Sequence, residues 1–276
     1  MPEPSPPPLI DNPWPKFTTP AKGAAQAIGN YTAGCIVGSE ELPLSGPGYH
    51  VMHPTTGKRF GHPTLIHYVK NLGKQVHRDK LGTLLLGNLN LVRGGPTLVG
   101  HMSHQSGLDI DIWFWLTPEA NRPQLTAQER EDWGAKSVVN LKTYKVLKKL
   151  WTPKHVKILK YAAQAPEVER IFVHAAVKRA LCQATRGKKS ERKWMAKVRP
   201  WFEHHDHFHV RLRCPEGSPL CKKQEAIPPG DGCGSELDWW FSDEARQKTA
   251  SPERKAEAFK MPKLPPECEG VRAQAN

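Results

Sequence analysis

Two short segments of the chain concentrate imidazole and carboxylate groups. Six of the 13 histidines fall in His101-Met-Ser-His104-Gln-Ser-Gly107-Leu-Asp109-Ile-Asp111 and in His204-His205-Asp206-His207-Phe208-His209. Histidine nitrogen and carboxylate oxygen are donors with which proteins bind catalytic zinc, using three ligands and leaving a fourth position for water. The two segments therefore predict a metal site, with a neighbouring histidine available to handle a proton.

The spacing within each segment limits how these side chains can meet. His207 and His209 lie two residues apart, so on a strand both project from one face. His104 and Asp111 are seven residues apart and would lie on opposite faces of a straight strand, but Ser106-Gly107 can supply a bend between them. A zinc ion held there would lower the pKa of its water to about 7, which supplies a nucleophile for a carbonyl carbon.

The elements that must position these groups follow from the apolar periodicity. Residues 108–114 and 207–212 alternate between apolar and polar types, which predicts two strands that each have a polar face. The periodicity also predicts helices at 65–76, after Thr126, at 153–165, at 175–182 and at 190–199, and further strands at 83–92 and 168–173. Because helices and strands mix without a strict βαβ rhythm, we expect an α+β fold in which helices and long loops surround one largely antiparallel sheet.

Composition sets broader limits. The composition of the 276 residues, 38% hydrophobic and 24% charged, excludes a fibrous or wholly disordered protein. The sequence has no run of about 18 apolar residues, so no membrane-spanning helix is predicted. The net charge of +13 favours an anionic partner. Nucleic acid is disfavoured as that partner because no nucleic-acid-binding motif is present.

The cysteines indicate an oxidising compartment. Six are present and no two have the C-x-x-C spacing, so three disulfides are the better interpretation. The residues alone favour only one pairing, Cys214 with Cys221 across a short loop. The N-terminus has no secretory signal, so we expect that an export signal has been removed.

A longer set of motifs carries a family resemblance. His104-x6-Asp111 followed distantly by His207-x-His209 resembles the zinc site of the LAS-type metallopeptidases. Four segments together resemble the penicillin-insensitive murein endopeptidases within that group: Arg93-Gly94-Gly95-Pro96, Ser103–Asp111, Arg170-Ile171-Phe172-Val173 and His207-Phe208-His209-Val210-Arg211-Leu212. Recognisable pieces run from about Cys35 to Cys268, which is most of the chain.

The resemblance implies roles for individual residues. His104, Asp111 and His209 are the implied zinc ligands, and His207 the implied general base. His204 and His101 are implied as further active-site histidines, His101 either reaching the metal or lining the site. No second metal-binding pair is found between residues 112 and 150, so one functional Zn²⁺ is expected. The implied disulfides are Cys35–Cys268, Cys182–Cys233 and Cys214–Cys221.

The implied activity is hydrolysis of D-alanyl-meso-diaminopimelate cross-bridges in peptidoglycan, with LD-cross-links left open, by direct attack of a metal-bound water in the periplasm. The division that follows is an extended proline-rich arm at 1–22, a zinc endopeptidase domain at 23–245 and a polar tail at 246–276 tied down by Cys268. A homodimer stays an open alternative.

Two other functions remain open. The same metal core would serve a D,D- or L,D-carboxypeptidase or dipeptidase acting on uncross-linked stem peptides, and a non-catalytic wall-binding module could retain the zinc scaffold. Among the remaining polar residues, Asp109 is expected in solvent or beside a ligand, and His205 and Asp206 are expected to be loop or surface residues. Trp239-Trp240 is expected to pack rather than to line a groove.

Overall fold

The computed structural model describes residues 11–97, 102–187, 189–250 and 261–276. The strands are β1 Gln26–Asn30, β2 Ala33–Val37, β3 Glu40–Glu41, β4 Ser45–Gly46, β5 Tyr49–Val51, β6 Phe60–Gly61, β7 Leu84–Leu86, β8 Asp109–Trp113, β9 Val139–Asn140, β10 Lys145–Val146, β11 Val168–Val173, β12 Val198–Pro200 and β13 His207–Leu212. The α-helices are α1 Pro63–Arg78, α2 Ala127–Asp132, α3 Pro153–Gln164, α4 Ala175–Ala184, α5 Ser235–Trp239, α6 Asp243–Ala250 and α7 Glu267–Ala273. Short 3-10 helices cover Trp14–Lys16, Pro54–Thr56, Pro118–Ala120 and Lys189–Lys197.

Seven strands form the main sheet of the described residues, in the order β12-β11-β13-β8-β7-β5-β4. Four of its six pairings are antiparallel, and the two exceptions are β11 with β12 and β5 with β7. The predicted α+β fold with a largely antiparallel central sheet is confirmed.

The sheet presents an apolar face to the main core and a polar face to the predicted site. Ile110 and Ile112 of β8 and Phe208 and Val210 of β13 are buried in the same apolar cluster as residues of α1, α3 and α4. Because side chains alternate along a strand, Asp111 and His209 project from the opposite face. The alternation of apolar and polar residues along β8 and β13 therefore determines which side chains lie on the polar face, where a ligand could bind.

Two predicted elements differ from the structure. The strand predicted at 83–92 is only β7, because the chain leaves the sheet after Leu86 and Asn90 donates its side-chain amide to the carbonyl of Asp109 instead. The helix predicted at 190–199 is a 3-10 helix followed by β12. Among the described side chains of the 3-10 helix, the buried apolar ones are the neighbours Trp194 and Met195. Two adjacent apolar residues do not form the repeated apolar stripe of an amphipathic α-helix.

The predicted disulfides Cys35–Cys268, Cys182–Cys233 and Cys214–Cys221 are all present. The first joins β2 to α7 across 233 positions of the sequence. Arg93, which is fully buried, donates hydrogen bonds to the carbonyls of Val271, Gln274 and Ala275. The C-terminal residues are therefore fixed covalently and by hydrogen bonds.

The domain boundaries at 22 and 245 stay predictions, and part of the arm and tail they delimit, at 1–10 and 251–260, lies outside the described residues. Among the described helices, none is long and apolar enough to cross a membrane.

Candidate metal centre

The register between β8 and β13 pairs the two predicted ligand segments. The strands are antiparallel neighbours, and His209 lies directly opposite Asp111 while Arg211 lies opposite Asp109. Directly opposed residues on one face of an antiparallel pair have their Cβ atoms about 4.5–5.5 Å apart. Two polar pairs from distant parts of the chain are thereby brought side by side.

The predicted bend before β8 is present and returns His104 to this face. Gly107 has a φ of 82°, and a Cβ there would collide with Ile36. Its amide donates to Asn90 Oδ1 at 3.0 Å. His104 itself has a φ of 67°, a costly conformation for a residue other than glycine, and its amide donates to Asp109 Oδ2 at 3.1 Å.

His104, Asp111 and His209 form a group that could hold a metal ion. One donor atom from each can be chosen so that all three lie within 4.8 Å of one another. Asp111 Oδ2 lies 3.3 Å from His104 Nε2, and Asp111 Oδ1 lies 3.0 Å from His209 Nδ1. All three side chains are buried. Two imidazoles and one carboxylate are the donor chemistry of catalytic zinc sites, so the residues present fit that ion.

Asp109 contacts both Arg211 and His209 beside this group. Arg211 donates to it from Nε at 2.8 Å and from Nη2 at 3.1 Å, and His209 Nε2 lies 3.2 Å from Asp109 Oδ1. A carboxylate on the far nitrogen of a metal-binding histidine fixes the ring orientation and raises its basicity. Of the two places expected for Asp109, the structure shows the one beside an expected ligand, His209.

His207 has a carboxylate partner that the sequence analysis did not find. Its Nδ1 lies 2.6 Å from Asp206 Oδ1, so the carboxylate accepts the Nδ1 proton. Nε2 points toward the ligand group, 3.7 Å from Asp111 Oδ1. The side chain of His207 is 21% exposed, whereas that of His209 is 5% exposed. Asp206 was expected to be a loop or surface residue. Its position directly before His207, the predicted base, was the sequence feature that could have indicated this pairing.

His204 also lies at the site, while His101 lies outside the described residues. The ring of His204 is 4.9 Å from that of His207 and 5.9 Å from that of His209, between centroids. Its Nδ1 donates to the carbonyl of Phe202 at 2.6 Å. Glu203 and His204 have consecutive positive φ values of 64° and 40°, a type of local strain that clusters at functional sites.

Burial and charge have opposite effects on the pKa values of Asp111 and His209 and the same effect on that of His204. Burial raises the pKa of Asp111, but His104 and His207 outweigh it and hold that pKa well below its usual range. Burial lowers the pKa of His209, but Asp109 and Asp111 outweigh it and raise the pKa. For His204, burial and the neighbouring histidines both lower the pKa. Asp111 is therefore anionic and His204 neutral near pH 7.

Aromatic side chains border the site. Phe172 packs 5.5 Å from His209 and 5.7 Å from Trp201, between ring centroids. Trp201, which is 47% exposed, continues to Trp240 at 6.2 Å. Trp239 and Trp240 are each half-buried and 5.1 Å apart, between ring centroids, so they pack against each other.

Comparisons with known proteins place the chain in one family. The family model described as penicillin-insensitive murein endopeptidase matches residues 27–273. A protein of that name from Klebsiella pneumoniae subsp. pneumoniae is 42% identical over 269 residues, covering 95% of this chain and 92% of the relative. Relatives of the same name from an Escherichia coli O17:K52:H18 strain and from Yersinia pestis bv. Antiqua are each 40% identical, covering 95% and 96% of this chain and 92% of each relative.

Proposed function

The chain belongs to the penicillin-insensitive murein endopeptidase family, and from that premise we propose that it is a zinc-dependent endopeptidase of the periplasm. Its proposed substrate is the D-alanyl-meso-diaminopimelate cross-bridge of peptidoglycan, with LD-cross-links as a second candidate bond. The three disulfides support an exported location, because such bonds persist in oxidising compartments.

The observation that carries the proposal is the meeting of His104, Asp111 and His209 beside an oriented histidine, His207. A structural zinc site is closed by four protein ligands, whereas a catalytic one has three and keeps a position for water. The described part of the chain supplies one such group of three. A wall-binding module would have no use for a carboxylate-oriented base next to the ligands.

When bound, the ion supplies Lewis acidity that polarises a scissile carbonyl and lowers the pKa of a water. His207 Nε2 then accepts the proton of the attacking water, because its Nδ1 proton is committed to Asp206. The protonated His207 returns that proton to the leaving amine.

His204 has a different role in the proposed mechanism. Its Nδ1 proton is committed to the carbonyl of Phe202, so the neutral ring offers Nε2 as an acceptor. We assign it to accept a hydrogen bond from the water or from a substrate amide and so to orient the reacting groups. The absence of an acyl-enzyme step in this scheme accounts for insensitivity to β-lactams, which acylate a nucleophilic serine.

Cleavage of purified muropeptides tests the proposal. The zinc-loaded chain should cut cross-linked dimers into monomers, exhaustive chelation should abolish the cut, and added zinc should restore it. Uncross-linked stem peptides serve as the control, and they should be left intact. Full activity after removal of metal would contradict the metal mechanism, and release of terminal residues from monomers would favour a carboxypeptidase instead.

A further inference from the structure

The loop that leads into β13 holds His204 in a strained conformation. Glu203 and His204 have φ values of 64° and 40°, and such left-handed conformations persist only where the surrounding contacts enforce them. The Nδ1 proton of His204 is donated to the carbonyl of Phe202 at 2.6 Å, and the carbonyl of His204 accepts the amide of His174 at 2.8 Å. The orientation of the His204 ring therefore depends on where Phe202 is held.

Phe202 packs against an aromatic side chain from a distant part of the chain. Its ring centroid lies 4.9 Å from that of Trp240 and 5.9 Å from that of Trp201. Trp240 also contacts Trp201, with ring centroids 6.2 Å apart. Phe202 and Trp240 are both half-buried. Tilted and edge-to-face ring pairs at about 4.5–7 Å attract one another, so the Trp240 ring restrains the residue that accepts the His204 proton.

Trp240 directly follows α5, a short helix that is tied to α4 in two ways. The Cys182–Cys233 disulfide joins α4 to a residue two positions before α5. Arg179 of α4 forms an ion pair with Asp238 of α5 at 2.9 Å. Because a covalent bond and an ion pair connect the two helices, Trp240 is presented to Phe202 from a fixed support.

We propose that Trp240 is a positioning residue for His204, acting through the ring of Phe202. The inference rests on the proposed function, in which His204 accepts a hydrogen bond from the water or from a substrate amide. The described ring contacts of Trp240 include none of the expected zinc ligands. Loss of the Trp240 ring therefore misorients His204 and leaves the metal-binding group in place.

The test compares two tryptophans at the same helix end. The variant is Trp240→Leu, which removes the aromatic ring but keeps an apolar side chain for folding, and Trp240→Phe is its conservative counterpart. The matched control is Trp239→Leu, because Trp239 is also half-buried but has no ring contact with Phe202 within the described residues. Zinc content, kcat and KM are measured on the full-length zinc-loaded chain with cross-linked muropeptide dimers.

Trp240→Leu should retain zinc and lower kcat by about 10- to 100-fold with KM changed less than about twofold, because displacement of an orienting group acts on turnover. Trp240→Phe should recover most of this loss. Combined with His204→Ala, Trp240→Leu should cause no further fall in kcat, because the two changes disrupt the same group. Wild-type kcat in Trp240→Leu, an equal loss in Trp239→Leu, or an undiminished further fall in the His204→Ala background would overturn the positioning role.

A second readout does not depend on cleavage. The Nδ1 proton of His204, assigned by its absence from His204→Ala, is followed by NMR in the chelator-treated full-length chain. Its exchange with water should be roughly tenfold faster in Trp240→Leu than in wild type or Trp239→Leu, because the hydrogen bond to the Phe202 carbonyl opens more often. Unchanged exchange in Trp240→Leu would overturn the positioning role. Faster exchange in a chain that shows no zinc-dependent cleavage would support the positioning role and refute the proposed activity.

Discussion

At the scale of single residues, the site is built from histidines whose two ring nitrogens have separate partners. His209 has Asp111 on Nδ1 and Asp109 on Nε2, at 3.0 and 3.2 Å. His207 has Asp206 on Nδ1 and faces the ligand group with Nε2. The residue types at the centre could be predicted from two histidine-rich motifs. The roles of the carboxylates that contact the imidazole rings could not be predicted, because each role depends on which ring nitrogen the carboxylate contacts.

In the proposed mechanism, these partners separate metal binding from proton transfer. We expect His207→Ala to retain zinc and to lower kcat by about 10²–10⁴-fold, the usual contribution of a general base. Asp206→Asn should retain zinc as well and lower kcat by about 10–100-fold, because the base loses the acceptor that orients it. Zinc content and steady-state kinetics measure both effects.

His67→Ala is the control for these variants, since His67 is an exposed histidine on α1, away from the described ligand group. It should leave both zinc content and kcat unchanged. Loss of zinc from His207→Ala would identify His207 as a ligand and not as the base.

At the scale of elements, one strand pairing creates the site. Asp109-Ile-Asp111 on β8 and His209-Val-Arg211 on β13 have the same period of two, and antiparallel register sets imidazole against carboxylate and guanidinium against carboxylate. The alternation of both strands could be predicted, since it follows from the apolar face. Their adjacency could not be predicted from periodicity, because about 100 residues separate them. Complementary charge on the two polar faces was the signal that would have suggested the register.

The Asp109–Arg211 pair should stabilise this element independently of metal. Both side chains are buried, and Arg211 also packs over the ring of Tyr31. We expect Arg211→Met to lower the free energy of unfolding by about 3–5 kcal/mol, because it leaves the Asp109 carboxylate buried without the guanidinium that donates two hydrogen bonds to it. Urea denaturation of the chelator-treated protein measures this.

Arg213→Met is the matched control, since Arg213 follows the same strand but is exposed. It should change the free energy of unfolding by less than about 0.5 kcal/mol. If Arg211→Met were as stable as this control, the pair would not be the support that fixes β13 against β8.

At the scale of the whole molecule, the fold closes by contacts between the ends of the sequence. Trp14, Leu91, Cys268 and Val271 belong to one buried apolar cluster, and Cys268 is bonded to Cys35 within it. The number of disulfides could be predicted from the cysteine count, but the pairing could not, because six cysteines allow 15 arrangements. Only the family resemblance supplied the two long-range bridges.

The proposed activity requires that residues from two distant segments hold one cation. Anomalous diffraction at the zinc absorption edge, on crystals of the zinc-loaded chain, tests it most directly. We predict one peak about 2.0–2.2 Å from donor atoms of His104, Asp111 and His209. A map with no peak between these residues, or with its peak bound by other side chains, would refute a metal site formed by these three residues.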